Sequence, residues 1–249
     1  MALESLTVIT GASSNHFRSL QNLLASLDLF EADSHVVVYD LGLRSNEAER
    51  LRAKRRDVRK FPFDRYPAHV NIRIQRGQYA WKPIIVADGL REFRGMVLWL
   101  DAGDLVLARL ERIRKLLAHT GLYSPTSSAT VERWTHPATL RYLRAEPELL
   151  NKPNRSGGVV GFLAGYRGID ALAEKWKACA LDKNCIAPTG SHRGNHRQDQ
   201  AVLTVLIYQF QKEYGYDLEN RKLDISTHND HLSPAAARRI LSLASSSER

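Results

Sequence analysis

Leu6-Thr7-Val8-Ile9-Thr10-Gly11-Ala12-Ser13-Ser14 opens the chain's first structural unit. A short apolar run closed by glycine and serine reads as a buried strand leaving a sheet. Phe17, Leu20, Leu23, Leu24 and Leu27 follow at three- and four-residue spacing, which predicts a helix capped by Ser13 or Ser14. His35-Val36-Val37-Val38-Tyr39-Asp40 then reads as a second strand, ended by Leu41-Gly42. Strand, turn, helix and strand in that order form a βαβ opening. The expected fold class is therefore α/β, with a mainly parallel central sheet flanked by helices. The 249 residues suit one large α/β domain, and no internal repeat or low-complexity linker divides them. A single domain over residues 1–249 is expected, with a core at about 6–232 and a tail at about 233–249 whose end, Ser245 to Arg249, is frayed.

Further along, Val97-Leu98-Trp99-Leu100 runs into Asp101-Ala102-Gly103-Asp104 and back into Leu105-Val106. The apolar run predicts a second buried strand, with both acids where it leaves the sheet. Ligands of α/β sheets sit beyond the carboxyl ends of strands. Acids emerging there either hold a divalent cation for a phosphate substrate or form the turn. Between the two units, Val58 to Phe63 predicts a strand and Trp81-Lys82-Pro83 a helix beginning near Pro83. Leu110 to His119 is amphipathic, with Leu110, Ile113, Leu116 and Leu117 on one stripe. Ala138 to Leu143 reads as a helix and Glu146 to Arg155 as a loop. Ser156-Gly157-Gly158-Val159-Val160 reads as a strand whose small residues permit a close backbone approach or a bulge.

Hydrophobic residues make up 43% of the chain and charged ones 25%, as in a globular domain. No apolar run approaches the ~20 residues that span a bilayer. Met1-Ala2-Leu3-Glu4-Ser5 has no signal-peptide pattern, which leaves a cytoplasmic location or the Golgi lumen, as part of a longer anchored protein. The net charge of +9 favours a polyanionic partner: nucleic acid, a membrane surface or a phosphorylated small molecule. The densest basic run, Arg50-Leu51-Arg52-Ala53-Lys54-Arg55-Arg56, ends a helix that starts with acids, so a solvated face complementing the helix dipole explains it. No zinc-finger or aromatic-basic RNA-binding signature accompanies it, and no nucleic acid is expected. Cys179 and Cys185 either bridge a small loop, in an oxidising compartment, or are separate buried thiols.

Val8 to Ser14 resembles the start of the short-chain dehydrogenase cofactor loop, and Tyr208 and Lys212 share that family's Tyr-x-x-x-Lys spacing. Asn15 and Phe17 stand where that loop needs glycines for a pyrophosphate to approach, and no suitably placed serine precedes Tyr208. Those departures weigh against a dehydrogenase.

Taken together, the segments resemble the nucleotide-sugar glycosyltransferases of the GT-A fold. Trp81-Lys82, an intervening helix and the strand ending in Asp101-Ala102-Gly103-Asp104 look like the glycogenin-type order, in which a lysine-bearing helix precedes an Asp-x-Asp strand. Ser156 to Val160 is similar to that group's Asn-Ser-Gly-Val strand, and Asp199-Gln200 to its Asp-Gln before a helix. Closer still, Gly11 to Phe17, Trp81 to Pro83, Cys185 to Pro188 and His196 to Gln200 resemble a little-characterised eukaryotic family of glycosyltransferase-like domains.

The resemblance implies a single GT-A-like domain that moves a sugar from a nucleoside-diphosphate donor, UDP-linked, to a glycan, protein or small-molecule acceptor. It places Thr10, Gly11, Ala12 and Tyr39 at the nucleotide, with Lys82, Asp101, Gly157, Gly158 and Arg197 as further donor contacts. Arg193 is another candidate for the diphosphate. Asp199 and Gln200 are the expected catalytic pair, and Mn2+ or Mg2+ the expected ion, held by Asp101, Asp104 and His228 or His231. One departure stands out: Gly103 replaces the second acid of Asp-x-Asp, and Asp104 comes one residue later. Across a β-turn residues i and i+3 approach, so a turn beginning at Ala102 would bring Asp101 and Asp104 together. The same departure motivates the alternative of a non-catalytic nucleotide-sugar-binding protein. A basic nucleic-acid-binding protein comes third.

Overall fold

β1 (Leu6–Ala12), α1 (Phe17–Phe30) and β2 (His35–Asp40) form the expected βαβ opening. A computed structural model of the protein describes residues 5–247; Met1 to Glu4, Glu248 and Arg249 lie outside the described residues. The chain continues through α2 (Ser45–Ala53), β3 (Asp57–Lys60), α3 (Trp81–Phe93), β4 (Met96–Leu100), β5 (Leu105–Val106) and α4 (Glu111–Thr120). There follow β6 (Leu122–Tyr123), β7 (Thr126–Thr130), α5 (Val131–Trp134), α6 (Pro137–Tyr142), β8 (Pro153–Arg155) and β9 (Val159–Leu163). The last elements are α7 (Ile169–Leu181), α8 (Lys183–Ile186), α9 (Gln198–Tyr214), β10 (Ile225–Ser226) and α10 (Pro234–Ser247).

The central sheet has six strands in the order β3-β2-β1-β4-β9-β6. β3, β2, β1 and β4 are parallel, and β9 runs antiparallel to both β4 and β6. Strand alternation sends Ile9, Val97, Trp99, Val160 and Phe162 to one face, against α3, α7 and α9. Val8, Val38, Leu98, Leu100 and Val159 point to the other, against α1 and α4. Every residue of β4 is buried, as a central strand covered on both faces requires.

Three local expectations change. The tail is helical over Pro234–Ser247, which includes Ser245 to Ser247 of the end expected to fray: Ala237 and Leu241, one turn apart, are buried, and α10 packs on α1. The loop at Glu146 to Arg155 ends in β8, which pairs antiparallel with β7 in a separate two-stranded sheet. α3 begins at Trp81, with Pro83 in the first turn, where its missing N–H costs no helical bond.

Cys179 and Cys185 are joined by a disulfide that ties the end of α7 to α8, with Cα atoms 5.2 Å apart. Tyr208 is buried within α9 and donates its hydroxyl to the Pro153 carbonyl at 2.6 Å, a packing role unlike that of a dehydrogenase tyrosine.

Candidate functional site

The carboxyl ends of β1, β2 and β4 lie side by side, so the residues that follow them share one edge of the sheet. Gly11 pairs with Tyr39 and Ala12 with Asp40 in register. A Cβ on Gly11 would lie 3.1 Å from Leu41 and 3.4 Å from Trp99, so the backbone is close-packed there. Thr10 is fully buried and its hydroxyl has no hydrogen-bond partner; Tyr39 is half-buried. The expected nucleotide residues are thus brought to one edge.

Beyond β4 the chain makes the turn that the i, i+3 spacing permitted. The Asp104 N–H donates to the Asp101 carbonyl at 2.9 Å. The turn does not pair the two carboxylates as ligands. Asp104 is buried, and its carboxylate accepts the Asp101 N–H at 3.1 Å and the backbone N–H of His228. Burial, then the charge of Asp101, raise its pKa well above the usual carboxylate range. Asp104 therefore fastens the segment around β10 to the turn.

Asp101 is gathered instead into a cluster with Lys82 and Asp199. Lys82 comes from the first turn of α3, and its Nζ lies 2.9 Å from Asp101 Oδ1 and 3.1 Å from Asp199 Oδ2. The ammonium also donates to the Gly157 carbonyl at 2.9 Å. Trp99, wholly buried in β4, donates its indole N–H to Asp101 Oδ1 at 2.7 Å. Its place two residues before Asp101, on a strand, puts both side chains on one face, a signal available in the sequence.

Burial pulls Lys82 towards the neutral amine, but Asp101 and then Asp199 overcome this and hold its pKa above that of an ordinary lysine. Asp199 sits in the first turn of α9 and is equally buried. Burial pushes its pKa up to about 6, against the pull of Lys82. Its Oδ2 has the ion pair with Lys82 but no well-aligned hydrogen bond, so one acceptor in the cluster is unsatisfied. Asp101, by contrast, keeps 43% of its side chain exposed and can meet a ligand from outside.

The two glycines are explained by close approach, not by a bulge. A Cβ on Gly157 would lie 2.9 Å from Gln200 Cβ and 3.2 Å from Asp199 Oδ2, and one on Gly158 2.9 Å from Asp101 Oδ2. Gln200, half-buried, packs against Gly157 at the start of α9.

The expected metal ligands Asp101, Asp104, His228 and His231 do not converge. His228 and His231 are exposed, and among the described residues no group of three His, Cys, Asp or Glu side chains is placed to hold a metal ion. As arranged, this donor set does not fit a divalent cation. The space that a residue 103 side chain would fill belongs to Asp230: a Cβ on Gly103 would lie 2.4 Å from Asp230 Oδ2. The Asn229 N–H donates to the Gly103 carbonyl at 2.7 Å, which holds the later segment in place. Asp230 lies far along the chain, so no local pattern around Gly103 signals this contact.

Arg197 and Arg193 lie beside the cluster, on elements outside the sheet. The Arg197 N–H donates to the Trp134 carbonyl at 3.0 Å, and its guanidinium stands 4.0 Å from the centre of the Trp134 ring. Arg193 lies 5.3 Å from the centre of the Tyr79 ring and donates to its hydroxyl. Tyr79 ends a left-handed turn in which Gln75, Arg76, Gly77, Gln78 and Tyr79 have φ of 45°, 60°, 61°, 49° and 55°. L-residues disfavour this conformation by ~1–2 kcal/mol each, and such strain collects at ligand sites. Gly77 is required there, since a Cβ would lie 2.2 Å from the Val70 carbonyl oxygen. His196 is a packing residue: its Nε2 bonds the Ile186 carbonyl at 2.9 Å, Nδ1 accepts the His136 N–H at 3.2 Å, and burial lowers its pKa to about 4.

A sequence profile of a family described as "Protein of unknown function (DUF1647)" matches residues 2–87. No curated protein matches the chain. Among solved structures, the galactosyltransferase LgtC in complex with donor and acceptor sugar analogues is similar at 18% identity and a TM-score of 0.52, covering 96% of this chain and 95% of that one. The chain has the GT-A glycosyltransferase fold. Mouse xyloside xylosyltransferase 1 is similar at 13% identity and TM-score 0.50, over 88% of this chain and 84% of its own. The bifunctional glycosyltransferase WbbM is similar at 11% identity and TM-score 0.55; the match covers 88% of this chain and 39% of that longer one.

Proposed function

We propose that this protein is a glycosyltransferase that moves a sugar from a nucleoside-diphosphate donor, UDP-linked, to an acceptor sugar. The observation that carries the proposal is the buried Lys82 ammonium clamped between Asp101 and Asp199 at the carboxyl edge of the sheet. Glycosyl transfer needs the transferred sugar held in one orientation by groups fixed before the diphosphate departs. Lys82 spends its three N–H donors on Asp101, Asp199 and the Gly157 carbonyl, and so holds both carboxylates in fixed positions for the sugar. In this proposal Thr10, Gly11, Ala12 and Tyr39 border the nucleotide. Asp101 offers its exposed oxygen to the donor sugar, Gly157 and Gly158 leave room for Asp101, Asp199 and Gln200 against the backbone, and Asp199 and Gln200 meet the sugar hydroxyls. The solved LgtC complex, with donor and acceptor sugar analogues on the same fold, supports a two-substrate site. The disulfide supports an oxidising compartment such as the Golgi lumen over the cytoplasm.

A non-catalytic nucleotide-sugar-binding protein is the second proposal, favoured by Gly103 and by the Asp230 carboxylate packed above it. Thermal shift and transfer assays with a panel of nucleotide sugars and sugar acceptors, with manganese, with magnesium and with chelator, separate the two. Donor-dependent stabilisation and turnover that disappear in Asp101→Ala support the transferase. Stabilisation without turnover on a broad acceptor panel supports the binding protein. No response to any donor would sink both. The metal arms decide whether Mn2+ or Mg2+ is needed.

A further inference from the structure

Several arginines of this basic chain are neutralised by carboxylates within the fold. Arg56 pairs with Asp28, Arg59 with Asp57 and Glu92, Arg112 with Asp224, and Arg114 with Glu31. Beside Asp199 the pattern breaks. Arg133 and Arg197 stand 4.2 and 4.0 Å from the centre of one indole ring, that of Trp134. Arg76 and Arg193 both donate to one phenol, that of Tyr79. Arg133 is also held by the Gly194 carbonyl at 2.6 Å. The partners are aromatic rings, a hydroxyl and a carbonyl; no carboxylate bridges to any of these guanidinium groups among the described residues. Burial and then the like charges of Arg193 and Arg133 lower the pKa of Arg197, so the groups feel one another's repulsion. Arg76, Arg133 and Arg193 are exposed and Arg197 half-exposed, which leaves them open to a ligand.

We propose that Arg76, Arg133, Arg193 and Arg197 form an oxyanion-binding subsite for the acceptor, and that the acceptor is an acidic saccharide carrying carboxylate or sulfate groups. This rests on the transferase proposal and extends it to the second substrate. Guanidinium groups held against aromatic faces keep their N–H edges free and fixed in direction, which suits two-point contact with a carboxylate or sulfate. An anion entering the group relieves the repulsion among the arginines, so its binding is favoured beyond the hydrogen bonds it makes. Position selects acceptor over donor. The expected nucleotide residues lie at the ends of β1 and β2, whereas these arginines are mounted on the strained turn at 75–79, on α5 and on the segment leading into α9. That segment ends at Asp199 and Gln200, where a bound acceptor would meet the transferred sugar.

The test is isothermal titration calorimetry of the whole protein with hyaluronan, chondroitin sulfate and neutral chitin oligosaccharides of equal length, an oligoglutamate peptide, and UDP. The acidic oligosaccharides should bind at least about tenfold more tightly than the neutral one, a difference of ~1.4 kcal/mol. Arg76→Ala/Arg133→Ala should abolish that preference and leave UDP affinity unchanged. Arg52→Ala/Lys54→Ala, on the exposed basic end of α2, should keep it, which rules out attraction to net charge alone. Comparison of hyaluronan with chondroitin sulfate separates carboxylate from sulfate recognition. Equal binding of neutral and acidic oligosaccharides would overturn the proposal, as would an undiminished preference in the double variant. Loss of UDP affinity in that variant would reassign the arginines to the donor diphosphate, and tighter binding of oligoglutamate would reassign them to an acidic peptide. Failure of the wild type to bind any nucleotide or nucleotide sugar would sink the transferase proposal, while the oligosaccharide titrations still read the subsite.

Discussion

Two groups of cations meet at the start of α9, and they are built on opposite terms. Lys82 is buried, and Asp101, Asp199 and the Gly157 carbonyl surround its charge. Arg76, Arg133, Arg193 and Arg197 are accessible, and aromatic rings and neutral oxygens hold them without opposing charge. A buried charge must be compensated by the protein itself, since water cannot reach it. An exposed one can wait for a ligand. The first group is therefore tied into stability, and the second stands nearly independent of it.

The sharpest way to break this comparison is Lys82→Met. It leaves Asp101 and Asp199 without their cation, and loss of one partner from a buried ion pair costs ~3–5 kcal/mol. Urea unfolding should show a loss of that order together with loss of donor binding. A near-neutral result would mean that the cluster does not hold the site together.

Acid sensitivity sharpens the same point. His196 has a folded pKa of about 4 against an ordinary 6.5, so the unfolded chain binds the extra proton between those values. Its contribution is present above pH 6.5 and lost as pH falls, by about 3 kcal/mol in full. Asp199, raised to about 6 from 3.8, has the opposite sign: the folded chain binds the extra proton, and stability from this group is lost as pH rises through about 6. The two windows overlap and offset each other. Asp199→Asn should remove the offset, so its stability should fall more steeply from pH 6.5 to 4 than that of the wild type. Parallel stability curves for the two proteins would contradict these assignments.

Gly103→Asp restores the Asp-x-Asp spacing in sequence but collides with the Asp230 carboxylate. The Asp230 side chain is half-exposed and can swing aside, so we expect a loss of about 1 kcal/mol, the low end for overpacking, and faster hydrogen exchange over residues 226–232. Unchanged exchange would show that Asp230 yields freely. The smallest effect is expected from Arg193→Ala/Arg197→Ala. Surface changes usually stay within ~0.5 kcal/mol of the wild type, and relief of repulsion at low salt should move the double variant slightly upwards. A large destabilisation would place these arginines with Lys82 as structural cations.

What could be read in the sequence follows the range of the forces involved. The βαβ opening was legible because periodicity and punctuation by Gly11 and Gly42 are local signals. The turn from Asp101 to Asp104 was legible as a permitted geometry. Its consequence was not, because Asp104 chose the backbone of Asp101 and His228 as partners, a matter of tertiary packing. The antiparallel direction of β9 leaves no mark in an all-buried strand pattern. Neither does a left-handed turn built from Gln75, Arg76, Gln78 and Tyr79, which are not residues that favour positive φ. Lys82, Asp101, Asp199 and the two glycines were legible as a set through the order of their motifs. The bridging position of Lys82 between the acids, and the seat of Asp230 on Gly103, arise from elements far apart in the chain.

The central claim is that the Lys82–Asp101–Asp199 cluster reads the sugar of a nucleotide-sugar donor. The direct measurement is the affinity of wild type and Asp199→Asn for UDP and for UDP-sugars, by calorimetry at pH 7.5, where Asp199 with its pKa of about 6 is ionised. Asp199→Asn should bind UDP as the wild type does and its preferred UDP-sugar at least about tenfold more weakly, the loss of a charge-assisted hydrogen bond. Equal loss for UDP and UDP-sugar, or an unchanged affinity for both, would contradict the claim.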